Sequence, residues 1–544
     1  KEMTMSKLSS IKPLFYLVSV LMFVFSGSAV AAGEPRKGGT LIVANEADLG
    51  EMDPHITCAT SSARWVMNHI AEPLVQQDMT DDKSIPPPLI PGIAQSWDVS
   101  DDGKTYTFYL KKGVKFHDGT DLTAEDIEFN VYRQFDQTTV GRENAPQYYE
   151  AASAAAGWRW GIAGLDRVEV VDTYTINFHL SHPFNPFLRM FTQTDCGPMG
   201  IISPESVEKF GNEGVQDNIV GTGPFKMAER VPGDRLVLER FDDYWNEEWA
   251  PYLDRVIVVV MPDVASRQTA LQAGEVDIII APDPDSLDNL KKQGFVISQG
   301  PMPHIWTVSF NKDEAAFADE RVRMAVHHAI DREGMANQLL AGYALPGESW
   351  LSRTSEAYKS SDKWHAYDPE KARALLEEAG AVGTKLVFAT STSGSGQMQP
   401  AKMAEWIQRN LNEAGFDAEI ELQEWNAYIA KFFEGFDPKW SLVQMSWGWT
   451  AAYWLDMFLN PANQAPGQKD IGVTDKITAA HQMLDKQAAI AAYHEVAELV
   501  KESGWFMPIV NDTAPIVLRS CVEDYPHVSD WQTGFVARVW LSCD

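Results

Sequence analysis

Residues 446–456, SWGWTAAYWLD, place three tryptophans and one tyrosine within eleven positions, and the first charged side chain is Asp456. Flat aromatic faces suit the apolar faces of sugar rings, planar heterocycles, or cations held by π attraction. The alternative is that these rings pack the core of their own domain, because most tryptophans are largely buried. The rings of this stretch that could bind a ligand are Trp447, Trp449, Tyr453 and Trp454.

Catalytic patterns do not accompany these rings. The chain contains neither G-x-S-x-G nor H-E-x-x-H, and pairs of acids carry little information among 76 Asp and Glu residues. An exported hydrolase therefore stays only as the competing prediction from another functional class. The histidines His55, His304 and His327 are widely scattered, which disfavours a metal carrier. We predict no enzymatic activity, no cofactor and no metal.

Length and charge limit the classes of protein and partner. A chain of 544 residues is too long for one core, which normally stops growing at about 250 to 300 residues, so at least two domains are expected. The formal net charge is -31, which makes nucleic acid and anionic lipid poor partners.

The amino-terminal residues predict export. Lys7 and Lys12 precede an apolar run over residues 14–25, and Ala29-Val30-Ala31 gives an A-x-A cleavage pattern. These features predict a secretory signal peptide over residues 1–31, cleaved near Ala31. After its removal we expect no insertion into a membrane, because no later segment offers the roughly 18 uninterrupted apolar residues of a spanning helix. The predicted location is the periplasm, with secretion beyond the cell as the alternative.

Beyond the leader, the periodicities are those of an α/β protein. KTYTFYL (residues 104–110) and DTYTINFHL (172–180) alternate as half-buried strands. Thr123, Asp263, Asp319 and Asp368 each precede a helical pattern as a capping residue. The unalternating Ile278-Ile279-Ile280 predicts a strand in a sheet covered on both faces.

Four cysteines suit an oxidising compartment, where an even number commonly forms disulfides. We favour Cys521 with Cys543, because both lie in the last stretch of chain, and by elimination Cys58 with Cys196. Four buried thiols are the alternative.

Several phrases, in order along most of the chain, resemble the extracellular solute-binding proteins of family 5, the oligopeptide, dipeptide and nickel group that serves ABC importers. The phrases are GVKFHDGTDLTAEDIEFNV (113–131), VGTGPF (220–225), RFDDYWNEEWAPYLDRVIV (240–258), LQAGEVDI (271–278), FNKDEAAFADERVRMAVHHAIDREGMANQLLAGYALP (310–346) and DPEKARALLEEAG (368–380).

The resemblance implies the large, three-subdomain type of two-lobed periplasmic-binding-protein fold, with the ligand in the cleft between the lobes. Lobe one would comprise residues 32–310 and 505–544, with an inserted subdomain at about 80–219. Lobe two would comprise residues 311–504. Two hinge segments would then cross between the lobes, near Phe310 and near Trp505.

The same resemblance places Gly448-Trp449 at the cleft wall. In peptide-binding members, an aspartate three residues after this tryptophan pairs with the amino terminus of the ligand, but here the position is Ala452. An arginine that an oligopeptide binder carries three residues before the tryptophan is replaced by Ser446. A buried ammonium without a counter-charge would cost several kcal/mol. We therefore favour a neutral polar or sugar-like ligand over a free-amine peptide, so that the protein would bind an oligosaccharide. The alternative is an oligopeptide- or dipeptide-binding protein of the same importer class.

Further ligand contacts follow from family positions. Trp425 and Trp350 would add rings to the cleft, and the loop ITCATSS (56–62) would add the hydroxyls of Thr57, Thr60 and Ser61 from lobe one. The predicted partners are a small-molecule solute and the membrane permease of an ABC importer, and the protein is predicted to be a monomer. The lobes would close on the solute, and the closed form would be recognised by the permease. Presentation of the bound ligand to a membrane receptor would use the same fold.

Overall fold

The protein is described by a computed structural model over residues 34–55, 61–78, 86–134, 158–192, 200–359, 364–392, 399–448, 451–526 and 535–543. The strands are β1 (Thr40–Asn45), β2 (Val75–Gln77), β3 (Leu89–Pro91), β4 (Ala94–Val99), β5 (Thr105–Leu110), β6 (Leu165–Asp172), β7 (Thr175–Leu180), β8 (Phe225–Val231), β9 (Arg235–Arg240), β10 (Arg255–Val260), β11 (Ile278–Ile279), β12 (Val296–Ser298), β13 (His304–Phe310), β14 (Ala344–Pro346), β15 (Lys385–Ser391), β16 (Asp417–Gln423), β17 (Leu442–Gly448), β18 (Phe506–Asp512), β19 (Ile516–Leu518), β20 (Val522–Glu523) and β21 (Trp540–Leu541).

The α-helices are α1 (Ser61–Ile70), α2 (Ala124–Tyr132), α3 (Trp158–Ala163), α4 (Pro204–Gly214), α5 (Val264–Ala273), α6 (Leu287–Lys292), α7 (Glu320–Ala329), α8 (Arg332–Gly334), α9 (Pro369–Ala379), α10 (Pro400–Ala414), α11 (Trp425–Glu434), α12 (Trp454–Leu459), α13 (Thr474–Gln482) and α14 (Lys486–Ser503). None of these helices combines the length and apolarity that a membrane crossing requires, within the described ranges.

One large sheet has seven strands in the order β12-β19-β11-β1-β10-β9-β8. Its central strand β1 runs parallel to both β10 and β11. Ile278 packs into the apolar core on one face, whereas Ile279 packs into the core on the other face. The expectation of a sheet covered on both faces is therefore confirmed.

A second sheet has six strands in the order β14-β18-β13-β17-β15-β16. Strand β13 is antiparallel to both β17 and β18, while β15 is parallel to β16 and β17. The two large sheets are the centres of the two lobes of a periplasmic-binding-protein fold.

The chain passes between the two large sheets at residues 299–303 and 513–515. These passages are hydrogen-bonded to each other: Gly300 N donates to Thr513 O and Met302 N donates to Asp512 O, both at 3.2 Å. Strands β12 and β19 continue the pairing on one side, and β13 and β18 continue it on the other. The two crossovers thus form a single two-stranded ribbon.

A four-stranded sheet, in the order β4-β5-β7-β6, precedes both passages in the sequence. Strands β5 and β7 alternate between partly buried and buried positions, which confirms the period-2 patterns. Residues of this sheet share one apolar core with Trp350, Tyr453 and the helices α12 to α14. The domain limits at about 80–219, at 310 and at 505 stay predictions, because sheet membership does not show which parts move as one body.

Helix starts follow the local chemistry. The carboxylates of Asp263, Asp319 and Asp368 accept hydrogen bonds from backbone amides in the first turns of α5, α7 and α9. Each bond satisfies a donor that the helix cannot pair internally. These three caps are confirmed.

Glycine in GTGPF permits close approach of two backbones. A Cβ atom on Gly221 would lie 2.1 Å from the carbonyl oxygen of Ile70, and one on Gly223 would lie 2.3 Å from that of His69. Both carbonyls belong to the last turn of α1. The motif therefore seats the end of α1 and is not a phosphate-binding loop.

Near the carboxyl end of the chain, a disulfide joins Cys521 to Cys543, which is the pairing that the sequence analysis favours. It lies beside the β20–β21 pair. Cys58 and Cys196 lie outside the described residues.

Candidate functional site

The candidate site begins with one edge of the six-stranded sheet. Strands β15, β16 and β17 run parallel, so their carboxyl ends lie at the same edge. Strand β13 is antiparallel to β17 and to β18, so the carboxyl end of β18 also lies there. The chain leaves for the other lobe from this edge. In open α/β sheets, ligands bind beyond the carboxyl ends of the strands.

This edge faces the corresponding edge of the seven-stranded sheet. Nζ of Lys402, in the first turn of α10, lies 3.3 Å from Oδ2 of Asp283, which follows β11. Both side chains are partly exposed, so the attraction is weak, but the contact fixes which edges meet. We call these two edges the facing edges.

Trp447 is the ring that the structure places at the open end of β17. Strand β17 is buried over its first five residues, whereas Trp447 and Gly448 are partly exposed. The indole contacts Phe432, Phe433 and Phe458, with ring centroids at 5.3, 5.9 and 4.7 Å. Trp447 therefore combines packing with an accessible surface at a facing edge.

Phe433, on α11, is a candidate that sequence reasoning missed. It is 41% exposed and lies edge-on to Trp447. An exposed phenylalanine beside a partly exposed tryptophan gives an apolar surface for a solute side chain. In the sequence, the feature that points to Phe433 is the FF pair at residues 432–433, but the structure buries Phe432 and exposes Phe433.

Three other predicted binding rings are buried: Trp350 and Tyr453 are 0% exposed and Trp454 is 3% exposed. Trp350 packs on Phe506 with a centroid distance of 5.0 Å. Tyr453 and Trp454 stack on each other at 5.6 Å, and Trp454 stacks further on Phe458 at 6.1 Å. Their ring contacts are thus with protein rings in the core shared by the four-stranded sheet and α12 to α14.

Trp425 starts α11 and is 7% exposed. It belongs to a small core with Tyr428, Phe432 and Trp440, beneath α11. Tyr428 ties this core to the sheet, because its hydroxyl donates to the carbonyl oxygens of Ala389 and Gln444.

Several predicted contacts cannot be placed. Trp449, Thr57 and Thr60 lie outside the described residues, and Ser61 starts α1 with its side chain likewise outside them. Whether these residues and the buried rings contact a ligand stays a prediction.

The loop that leads to Thr57 is anchored from its amino-terminal side. The Arg133 guanidinium, on the four-stranded side of the fold, donates to both carboxylate oxygens of Asp53 and approaches Nδ1 of His55 to 2.8 Å. Burial is the largest single effect and raises the pKa of Asp53, but the hydrogen bonds and charge of Arg133, together with His55, outweigh burial and hold this pKa below its usual value. The ion pair is almost completely buried, so removal of one partner would leave an uncompensated charge.

Ala452, at the position of the family aspartate, is 5% exposed. The nearby acid, Asp456, accepts hydrogen bonds from Nδ2 of Asn460 and of Asn463 at 2.9 and 2.5 Å. Burial raises the pKa of Asp456. Its carboxylate is therefore engaged with residues just beyond its own helix and does not replace the missing counter-charge.

The RFDDYW motif holds a buried acid. Tyr244 Oη donates to Glu72 Oε1 at 2.6 Å, and Trp245 Nε1 donates to Oε2 at 2.7 Å. Burial raises the pKa of Glu72 to about 7, against the effect of these donors. The motif thus acts in packing, away from the facing edges.

Across the described ranges, no three His, Cys, Asp or Glu side chains gather as a metal site.

Comparison with known proteins then decides the family. Residues 88–469 match the family described as bacterial extracellular solute-binding proteins, family 5 middle. The chain belongs to this family. As a family 5 protein, it binds a solute for an ABC importer and is not an enzyme.

Relatives of this family 5 protein match over most of its length. It is 28% identical to "Di/tripeptide-binding protein 1" of Pseudomonas aeruginosa (strain UCBPP-PA14), over 93% of this chain and 95% of that one. It is 29% identical to "Dipeptide-binding protein" of Escherichia coli (strain K12), over 66% of this chain and 67% of that one. Among solved structures, the periplasmic binding protein DppA of Helicobacter pylori in complex with peptide STSA has a TM-score of 0.80 and 26% identity, covering 93% of this chain and 99% of that chain.

Proposed function

We propose that this family 5 protein captures a peptide-type solute in the periplasm and delivers it to the permease of an ABC importer. The observation that carries the proposal is the match to a di/tripeptide-binding protein over 93% of this chain. This replaces the neutral, sugar-like ligand that the sequence analysis favours, which finds no support among the relatives.

The packing of the aromatic rings also supports a peptide-type ligand over a sugar-like one. A sugar platform needs ring faces that are open to the ligand. Trp350, Tyr453 and Trp454 contact protein rings, as described above, and Trp425 lies within the core under α11. Phe433, which is exposed, and Trp447, which is partly exposed, together suit an apolar side chain of a peptide.

Ala452 sets an expectation about the amino terminus of the peptide. A carboxylate at this position would select a charged ammonium, because an unpaired ammonium is costly to bury. The alanine provides no such selection. We therefore propose that binding depends on the peptide backbone and side chains, and that a free amino terminus changes the affinity by less than about tenfold, which corresponds to about 1.4 kcal/mol.

The mechanism follows from the two lobes and the hydrogen-bonded ribbon that joins them. A solute that contacts both facing edges binds the closed arrangement better than the open one, and this difference in affinity shifts the equilibrium towards closure. The permease then recognises the closed form. A leader over residues 1–31, which lie outside the described residues, would direct the protein to the periplasm.

The test is calorimetric titration of the purified protein with STSA, with its N-acetylated form, and with maltotriose as the sugar control. We expect micromolar or tighter binding of both peptides, within about tenfold of each other, and no heat from maltotriose. Binding of maltotriose without binding of either peptide would overturn the peptide proposal. Mass spectrometry of cargo that co-purifies from the native host gives an independent check.

A further inference from the structure

Asn511 lies at a facing edge, near the end of strand β18 and just before the ribbon between the lobes. It is the penultimate residue of β18, and its register partner on β13 is Ile305, which in turn pairs with Trp447 on β17. Residues directly opposite one another on neighbouring strands point to the same face of a sheet. The Asn511 side chain therefore shares a face with Trp447.

The amide of Asn511 is buried without a hydrogen-bond partner among the described residues. The residue is 2% exposed, and neither Nδ2 nor Oδ1 has a hydrogen-bond partner among the described residues. A buried amide is strongly disfavoured unless both its donor and its acceptor are paired. A solute bound at this facing edge would supply the donor and the acceptor that the described residues do not provide.

The opposite facing edge repeats this pattern. Asn45 is the last residue of β1, the central strand of the seven-stranded sheet, and is 0% exposed. Its Nδ2 donates to the carbonyl oxygen of Ala47 at 2.7 Å, whereas Oδ1 has no partner within the described ranges. Each facing edge therefore holds, at the carboxyl end of a strand, an asparagine whose acceptor is unused by the part of the chain that the structure describes.

A buried asparagine in the same six-stranded sheet shows what a structural role looks like. Asn311 directly follows β13, at the edge away from the ribbon, and is 4% exposed. Its Nδ2 donates to the carbonyl oxygen of Trp440 at 2.7 Å, and its Oδ1 accepts from the amide of Asp313 at 3.0 Å. The Nδ2 and the Oδ1 of Asn311 are therefore both engaged in holding the chain, in contrast to those of Asn511.

We propose that Asn511 is a specificity-determining residue that recognises the backbone of one residue of the bound solute. Its Nδ2 donates to the carbonyl oxygen of that residue and its Oδ1 accepts from the N–H of the same residue. In an extended peptide the N–H and C=O of one residue point to the same side, so a primary amide, with one acceptor beside a donor, matches them. The inference rests on the proposed function, since it requires a solute with a peptide backbone.

The first test compares N511L with N311L, because leucine has the same number of side-chain heavy atoms as asparagine, with the same branching, and cannot form hydrogen bonds. For N511L, we expect at least tenfold weaker binding of STSA by calorimetry and an unchanged or higher melting temperature without peptide. For N311L, we expect a lower melting temperature, and STSA binding within threefold of wild type. Equal STSA affinities of N511L and wild type overturn the role of Asn511, and so does a lower melting temperature of N511L.

The second test asks whether the lost contact is with the backbone of one solute residue. Three ester analogues of STSA each replace one amide N–H by oxygen and so remove one donor. We expect one of them to bind wild type at least tenfold more weakly than STSA does, whereas N511L does not distinguish that analogue from STSA. Equal discrimination by both proteins overturns the inference. Failure of wild type to bind any peptide overturns the proposed function together with it.

Discussion

The backbone amide of Asn185 donates to the carbonyl oxygen of His481 at 2.8 Å. Nδ2 of Asn185 adds bonds to the carbonyl oxygens of Ala480 and Met483, at 2.6 and 3.1 Å. These carbonyls lie at the carboxyl end of α13, where a helix has no internal donors left. A residue beside the four-stranded sheet thus caps a helix that follows β17. If the lobes part along the predicted limits, these bonds break on opening.

We therefore expect N185A to favour the open form. The substitution removes two hydrogen bonds, each worth about 1 kcal/mol. Small-angle scattering without added solute should give a larger radius of gyration for N185A than for wild type. N177A is the matched control, because Asn177 bonds to Thr107 within the four-stranded sheet. Identical scattering of N185A and wild type would exclude a role in closure.

Because Glu72 is buried, the loss of its proton should lower the free energy of unfolding as the pH rises from about 4.5 to 7. Burial raises its pKa to about 7 in the folded state, from 4.5 when exposed. The folded state thus binds the proton more tightly, so the stabilisation is complete below pH 4.5 and is lost as the pH passes 7. The change for this one group is on the order of 3 kcal/mol.

Urea unfolding of wild type and E72Q at pH 5 and pH 8 measures this effect. The free energy of unfolding of wild type should fall more between these pH values than that of E72Q, which has no proton to lose. E128Q serves as control, because Glu128 is only half-buried and lies on α2. The same fall in wild type and E72Q would show that Glu72 does not titrate in this range.

Two histidines in the lobe of the six-stranded sheet should have the opposite effect, because they lower the free energy of unfolding as the pH falls. His327 accepts a hydrogen bond from Trp364 Nε1 at Nδ1, so its Nε2 donates to the carbonyl oxygen of Gly504. Burial lowers the pKa of His327 well below its usual value and that of its neighbour His365 to about 4. The folded state needs neutral rings, so stability is present above about pH 6.5 and is lost as the pH falls towards 4.

Thermal melts at pH 7.5 and pH 4.5 should show a smaller acid-induced drop for H365Q than for wild type. H179Q, at a partly exposed site paired with Glu169, should retain the drop of wild type. A drop in H365Q as large as in wild type would assign the acid sensitivity to other groups.

Trp447 and Trp350 should separate binding from packing. W447A should weaken peptide binding by at least about 1 kcal/mol, because Trp447 offers accessible ring surface at a facing edge. W350A should lower the free energy of unfolding by about 3 to 5 kcal/mol, as expected for a fully buried tryptophan. Calorimetry and urea unfolding of both variants check these outcomes. Unchanged peptide affinity in W447A, with a large loss of stability, would place its ring in the core alone.

Features that depend on near neighbours in the chain could be predicted from the residues alone. Alternation marks β5 and β7, and the carboxylates of Asp263 and Asp368 mark helix starts, because each depends on residues a few positions away. The order of the family phrases along the chain determined the two-lobed fold. The aromatic cluster likewise predicted that residues near Trp447 matter for binding.

Which of these side chains find partners within the protein depends on contacts between distant parts of the chain. Trp350 meets Phe506, and Asn185 meets His481, across long stretches of chain that no local period links. Asn511 and Asn311 are the same residue type in one sheet, yet only Asn311 finds partners within the described residues. Periodicity tells which face of an element is apolar, but the element that covers this face is set by long-range packing. For this reason the sequence favoured a platform of rings, whereas the fold buries most of the predicted rings that it describes. It also leaves the amide of Asn511, at one facing edge, without a partner among the described residues.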